Sequence, residues 1–273
     1  MPAVSGVPEV SGGAGSDVEV AVAAASAGAA VVRAKYGTAV GRYAKSPTDF
    51  ATDADLEAEQ AIVELIRRAR PEDAIVGEEY GAGGSNGPAG RTWLVDPLCG
   101  TLNFAAQTPL FCVNVALQSA DGPAVAAVAD PLSGEVFWTD GTKAFVQRDG
   151  ANSPAEPSAI SRIVDIDVDA LPTARFHPTA LLADQEFRDM FAPRVSSTTL
   201  TLAWVMAGRR AAYVANGTLR DSVHFTAGIM LCQAAGCVVT DLRGRPVLTG
   251  PGLVAAADAA THAKLLDLIA RNH

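Results

Sequence analysis

The chain has 273 residues, a net charge of −9 and a pI near 4.9, with 49% hydrophobic and 19% charged residues. This is a globular composition, long enough for one large domain or two coupled halves around a sizeable core. Its acidity repels nucleic acid and anionic lipid, so neither is expected as a partner, and no apolar run reaches the roughly 18 residues of a membrane span.

The first 16 residues, "MPAVSGVPEVSGGAGS", are rich in Gly, Ser, Pro and Ala and lack the basic start and apolar block of a signal peptide. They read as a disordered lead-in. "SDVEVAVAAASAGAAVVRAKY" predicts an Ala-rich helix capped by Ser16 or Asp17. "DADLEAEQAIVELIRRA" predicts a second, capped by Thr52 or Asp53. Its apolar stripe is Ala58, Ile62, Leu65 and Ile66, and Pro71 stands just past its end. Strands are expected at "AIVGEE", "TWLVDP", "FCVNVALQ", "AVAAVAD" and "EVFWT", with "GAGGSNGPAG" (81–90) as a flexible surface loop. The polar stretch "RDGANSPAEPSA" is the best boundary, dividing a single domain of residues 17–273 into halves of about 17–150 and 151–273. Beyond it, "RIVDIDV", "AAYVA" and "CVVTDLRG" predict strands. "HPTALLADQEFRDMF", "TTLTLAWVMAG", "FTAGIMLCQAAG" (stopped by Gly236) and "ATHAKLLDLIARN" predict helices. Helical pairs mixed with runs of strands point to an α+β fold of packed layers. Cys99, Cys112, Cys232 and Cys237 are expected as reduced thiols in a cytoplasmic protein, the last two as small core residues.

Acids recur at element ends. Asp55 lies in the first turn of the second helix, and Glu78 and Glu79 close "AIVGEE". In "WLVDPLCGTLNF" (93–104), Asp96 closes a strand and Thr101 follows a glycine turn. Carboxylates, a hydroxyl and a backbone carbonyl are the ligands Mg²⁺ prefers, and carboxylate-bound Mg²⁺ suits phosphate-ester chemistry. Taken singly, each acid reads better as a plain helix N-terminal or solvated strand-end residue.

Taken together, "GEE", "DPLCGTLNF" and "VADPLSGEVFW" resemble the inositol monophosphatase family of Mg²⁺-dependent phosphomonoesterases. "KSPTDFATDADLEAE" and "LAWVMAGRRAAYV" extend the resemblance from about residue 20 to the C-terminus. It implies a layered αβαβα sandwich of the inositol monophosphatase and fructose bisphosphatase type, paired as a homodimer. It further implies one Mg²⁺ at Glu78, Asp96, the Leu98 carbonyl and Thr101. Thr101 and Asp55 would activate a water, and Gly100, Thr101 and Ser197 would face the phosphate of a small phosphorylated or anionic metabolite.

The chain departs from the family pattern at the second metal. Cys99 stands for the second acid of D-P-x-D-G, and His224, after Val223, for the acid of W-D-x-A-A-G. Ala211 replaces a further acid, and Ser196–Ser197 a Gly-Ser pair. The expectation is therefore a one-metal, weak or altered phosphatase. Alternatives are a repurposed enzyme with a Cys99/His224 thiol–imidazole site oriented by Asp96 or Asp221, a zinc site at Asp96, Cys99 and His224, or an inactive binding homologue. Space-filling by Cys99 is the plain reading beside these.

Overall fold

The computed structural model describes residues 15–47, 49–83, 90–120, 122–168, 178–217 and 219–272. The first helix, α1 (Asp17–Lys35), begins where Ser16 and Glu19 exchange hydrogen bonds in a capping box. Strands β1 (Arg42–Ala44) and β2 (Phe50–Thr52) form a small hairpin. Then α2 (Asp53–Ala69) starts from a second capping box, Thr52 with Asp55. Both helices have the expected bounds, and α2 buries Ala58, Ile62 and Ile66.

Among the described residues the first large sheet has eight strands. They are β3 (Ala74–Gly77), β4 (Gly81–Gly83), β5 (Thr92–Cys99), β6 (Cys112–Ser119), β7 (Gly122–Ala129), β8 (Val136–Thr139), β9 (Ala144–Arg148) and β10 (Ala151–Pro154). Their order is β10-β9-β8-β7-β6-β5-β3-β4, with only β3 and β5 running parallel. A short helix, α3 (Thr101–Ala105), follows β5. Two expectations change here. Residues 81–83 of the expected surface loop pair with β3 as a strand, and residues 84–89 lie outside the described residues. The polar stretch read as a boundary contains β10, so the chain leaves this sheet only after Pro154.

The second sheet has five strands among the described residues, in the order β12-β11-β13-β15-β14. These are β11 (Ile163–Ile166), β12 (Ala192–Val195), β13 (Ala212–Ala215), β14 (Val238–Thr240) and β15 (Leu253–Ala256). The segment "HPTALLADQEFRDMF" forms two short helices, α4 (Thr179–Ala183) and α5 (Gln185–Met190). Three more follow: α6 (Leu200–Met206), α7 (Thr226–Ala234) and α8 (Ala259–Arg271).

Side-chain alternation assigns the layers, because successive strand residues face opposite sides. Trp93, Val95, Val113, Val115 and Leu117 pack with the buried stripes of α1 and α2. Leu94, Ala116, Ala126 and Val128 share a core with α6, α7, Tyr213, Ala215, Leu253 and Ala255. The opposite faces of the second sheet, at Val164, Ala212, Val214, Val254 and Ala256, pack with α4, α5 and α8. The fold is thus an α+β sandwich layered helix, sheet, helix, sheet, helix. No helix among the described residues is long and apolar enough to cross a membrane.

Candidate active site

The site forms where β3 and β5 end side by side and the helices α2, α3, α6 and α7 begin. Its key local feature is a bulge in β5. Asp96 pairs with Asn114, but the next pair is Cys99 with Cys112, so Pro97 and Leu98 together oppose Val113. In a regular strand, residues three apart point to opposite faces. The bulge cancels that alternation and aims Asp96 and Cys99 to the same side, toward α6 and α7. Beyond Cys99, Gly100 turns the chain with φ +106°, and a Cβ there would lie 2.9 Å from the Leu110 carbonyl oxygen. Only glycine fits this turn without strain.

Asp96 is fully buried. Its Oδ1 accepts from the Leu98 amide (3.1 Å), and its Oδ2 accepts from Asn114 Nδ2 (3.2 Å) and lies 2.7 Å from His224 Nδ1. Glu78 follows β3, with Oε2 3.9 Å from the same His224 nitrogen. Lys45 Nζ reaches both Glu78 Oε1 (2.9 Å) and Glu79 Oε1 (2.6 Å). On the other side, Thr101 Oγ1 lies 2.9 Å from Asp55 Oδ1 and 3.1 Å from the Leu98 carbonyl oxygen. Asp55 Oδ2 is held by the Thr52 amide (2.7 Å) and hydroxyl (2.6 Å). The expected residues Asp55, Glu78, Asp96, Leu98, Cys99, Thr101 and His224 therefore lie along one chain of contacts. The Ser197 carbonyl closes its rim, 3.4 Å from Asn103 Nδ2.

With this geometry, the whole chain from residue 16 to 273 matches the family model "Inositol monophosphatase family". The chain belongs to the inositol monophosphatase family. It is 32% identical over 232 residues to an inositol-1-monophosphatase of Caulobacter vibrioides, covering 82% of this chain and 88% of that one. It is 33% identical over 203 residues to the Nus factor SuhB of Xylella fastidiosa, covering 73% and 72%. The crystal structure of the extragenic suppressor protein suhB from Bartonella henselae superposes with a TM-score of 0.80 at 26% identity, covering 92% of this chain and 97% of that one.

Family members generally use Mg²⁺. The first set of donors fits such an ion. Two oxygens bound side by side on an octahedral Mg²⁺ lie about 3.0 Å apart, close to the 3.1 Å between the Leu98 carbonyl and Thr101 Oγ1. Glu78 also behaves as a carboxylate short of positive charge. Burial and the Asp96 charge push it up to about 8, against the pull of His224 and Lys45. The second set does not fit Mg²⁺. Around Asp96 it offers the Cys99 thiol and the His224 imidazole, with ligating atoms all within 4.8 Å of one another, and Mg²⁺ binds neither type well.

The electrostatics follow from the same contacts. Burial works against charge on Asp96, but His224 beside it holds its carboxyl below the usual range. In turn Asp96 overcomes the partial burial of His224 and pushes the imidazole up to about 12. Asp55 is raised by burial, with the Thr52 and Thr101 hydrogen bonds opposing. The Cys112 contact, burial and the Asp96 charge push the Cys99 thiol well above its ordinary value. As for orientation, Asp96 is the carboxylate on the imidazole.

Sequence reasoning missed four residues of the site. Glu59 is buried in α2 and accepts from the amides of Glu79 (2.8 Å) and Tyr80 (3.0 Å), pinning the turn that carries Glu78. Its only signal is its place one turn after Asp55, beside the buried stripe. Asn114 shows as a polar amide between Val113 and Val115 in the apolar part of β6. Lys45 and Thr199 carry no local signal, because only the folded chain brings them to the acids and to Cys99.

Proposed function

We propose that the chain is a Mg²⁺-dependent phosphomonoesterase acting on a small phosphorylated metabolite, with one Mg²⁺ held by Glu78, Asp96, the Leu98 carbonyl and Thr101. The observation that carries this reading is the contact pair at Thr101, whose hydroxyl donates to Asp55 while lying beside the Leu98 carbonyl. When bound, Mg²⁺ would supply positive charge for phosphoryl oxygens and acidify a water. The hydrogen bond that Thr101 donates to Asp55 would leave the hydroxyl oxygen's lone pairs available to an ion and its water. Asp55, raised by burial and fixed by Thr52, is then the proton acceptor for that water, through Thr101. The Gly100 and Thr101 amides, at the turn before α3, face the phosphate, and Ser197 borders it. Without a second hard-ligand site, the leaving oxygen lacks a metal partner. That weakness slows unactivated alcohol phosphates by on the order of 10³-fold relative to a two-metal site.

No nucleophile role is proposed for Cys99. The residue is buried, and its sulfur accepts hydrogen bonds from Thr199 and belongs to a thiol held protonated by its surroundings. The test is release of phosphate from a panel of phosphate monoesters by the metal-free chain and with Mg²⁺ added. Mg²⁺-dependent release that disappears in Glu78→Gln and in Asp55→Asn supports the reading. Equal release with and without Mg²⁺ would overturn it.

A further inference from the structure

We propose that Asp96, Cys99 and His224 form a second cation site that takes a thiophilic divalent ion of the Zn²⁺ class. The proposal shares Asp96 with the phosphatase reading but does not depend on turnover. Three observations carry it. First, the β5 bulge turns Cys99 to the side of Asp96, and His224 arrives from the start of α7, so one carboxylate, one sulfur and one imidazole converge within 4.8 Å. Tetrahedral ligands at 2.0–2.3 Å from one ion lie about 3.3–3.6 Å from one another, so closing the site needs shifts of up to about 1 Å. The 2.7 Å contact of His224 with Asp96 opens to roughly 3.3 Å as an ion replaces the shared proton between them.

Second, the sulfur accepts two hydrogen bonds, the support a thiolate would need once a bound ion displaces its proton. Both the Thr199 amide (3.3 Å) and the Thr199 hydroxyl (3.1 Å) reach Cys99 Sγ. Asn114 Nδ2 donates to that same hydroxyl oxygen at 2.9 Å, which turns the Thr199 proton toward the sulfur. Asn114 also donates to Asp96 Oδ2. A single amide therefore orients the carboxylate directly and the sulfur through Thr199, the outer support that metal ligands usually have. Third, the site is open on one side. Asp96 and Cys99 are buried, while the His224 side chain is 43% exposed. An ion entering there keeps its fourth position for a water or a substrate oxygen. Binding releases two protons to solvent, the one from Cys99 and the one shared by His224 and Asp96, since sulfur ligates as thiolate and imidazole as the neutral ring.

The experiment titrates the metal-free full-length chain with Co²⁺ and Zn²⁺. Co²⁺ is expected to give a near-ultraviolet sulfur-to-metal charge-transfer band at one equivalent, Zn²⁺ to abolish it by displacement, and excess Mg²⁺ to leave it. Cys99→Ser and His224→Ala should lose the band, and Cys112→Ala and Cys232→Ala should keep it. Thr199→Val should weaken Zn²⁺ binding by about 10–100-fold. Circular dichroism on every variant identifies any that fail to fold. A band that survives Cys99→Ser, or the absence of any band in the parent, overturns the proposal. Mg²⁺-dependent phosphate release on the same samples separates the two readings. Release without a Cys99-dependent band overturns the second site alone, and a band without release supports it while the phosphatase reading falls.

Discussion

At the scale of single residues, Glu78 makes a pH-dependent prediction for the metal-free protein. Its carboxyl titrates near 8 in the folded state against an ordinary 4.5. Between those values the folded chain binds the extra proton, so its contribution to stability is complete below 4.5 and is lost as pH rises through 8. His224, raised from 6.5 to about 12, acts with the same sign above 6.5. Asp96 acts oppositely, but only as pH falls below its ordinary 3.8. The melting temperature of the metal-free chain is therefore expected to fall across about pH 4.5–8, and Glu78→Gln should flatten that slope. A melting temperature that rises over this range would contradict the charge assignment. The same cluster gives a repair test. Changing Cys99→Asp and His224→Asp together should raise Mg²⁺-dependent phosphate release, because hard oxygens replace sulfur and imidazole. Either change alone should do little, since both ligands serve one ion. A double variant no faster than the parent would place the bottleneck at the substrate rim.

At the scale of elements, the turn after the β5 bulge is the point least tolerant of change. Gly100→Ala meets both a left-handed backbone and the Leu110 carbonyl. It is expected to cost about 1–3 kcal/mol in denaturant unfolding from the backbone alone, and to lower phosphate release by displacing Thr101. Unchanged stability would show that the turn can relax. Legibility also divides by element. The long helices showed in the sequence because Ser16 and the Thr52–Asp55 pair mark their starts and an apolar stripe runs along α2. Strands β3, β5, β6 and β7 showed as runs rich in Val, Ala, Ile and Leu. Strand β10 did not, because its four residues "ANSP" are all exposed and carry no apolar pattern. β9 and β12 were missed because Gln147 and Arg148 in one and Pro193 and Arg194 in the other break the apolar run; β15 was missed too, and β4 is three small residues read as a loop. At the site, Asp96, Cys99, Gly100 and Thr101 were legible because they lie in one short stretch. Thr199 was not, because its contact with Cys99 joins residues 100 apart in the chain.

At the scale of the whole molecule, the proposed Mg²⁺ ligands tie together the ends of β3 and β5 and the start of α3, and Thr101 carries the tie on to α2 through Asp55. An ion bound only by the folded chain stabilises all of it, by about 2.7 kcal/mol at a hundredfold excess over its dissociation constant. Unfolding monitored by tryptophan fluorescence and by circular dichroism should shift together as Mg²⁺ is added, and neither should shift in Glu78→Gln. A shift in one signal alone would mean that the ion holds only part of the fold.

The two ligand sets also differ in when they can exist. The oxygen set is drawn from residues 78 to 101, at the ends of β3 and β5 and the start of α3. The sulfur and imidazole set joins Asp96 to His224 across 128 positions. On a ribosome, which releases the chain from its N-terminus, the oxygen half emerges early, while His224 follows only after most of the second sheet has been made. A nascent chain would therefore meet Mg²⁺ with its oxygen ligands in place and its histidine still unsynthesised. Because His224 arrives last of the three, a thiophilic ion held by Asp96, Cys99 and His224 together would report a chain in which most of the second sheet has been made.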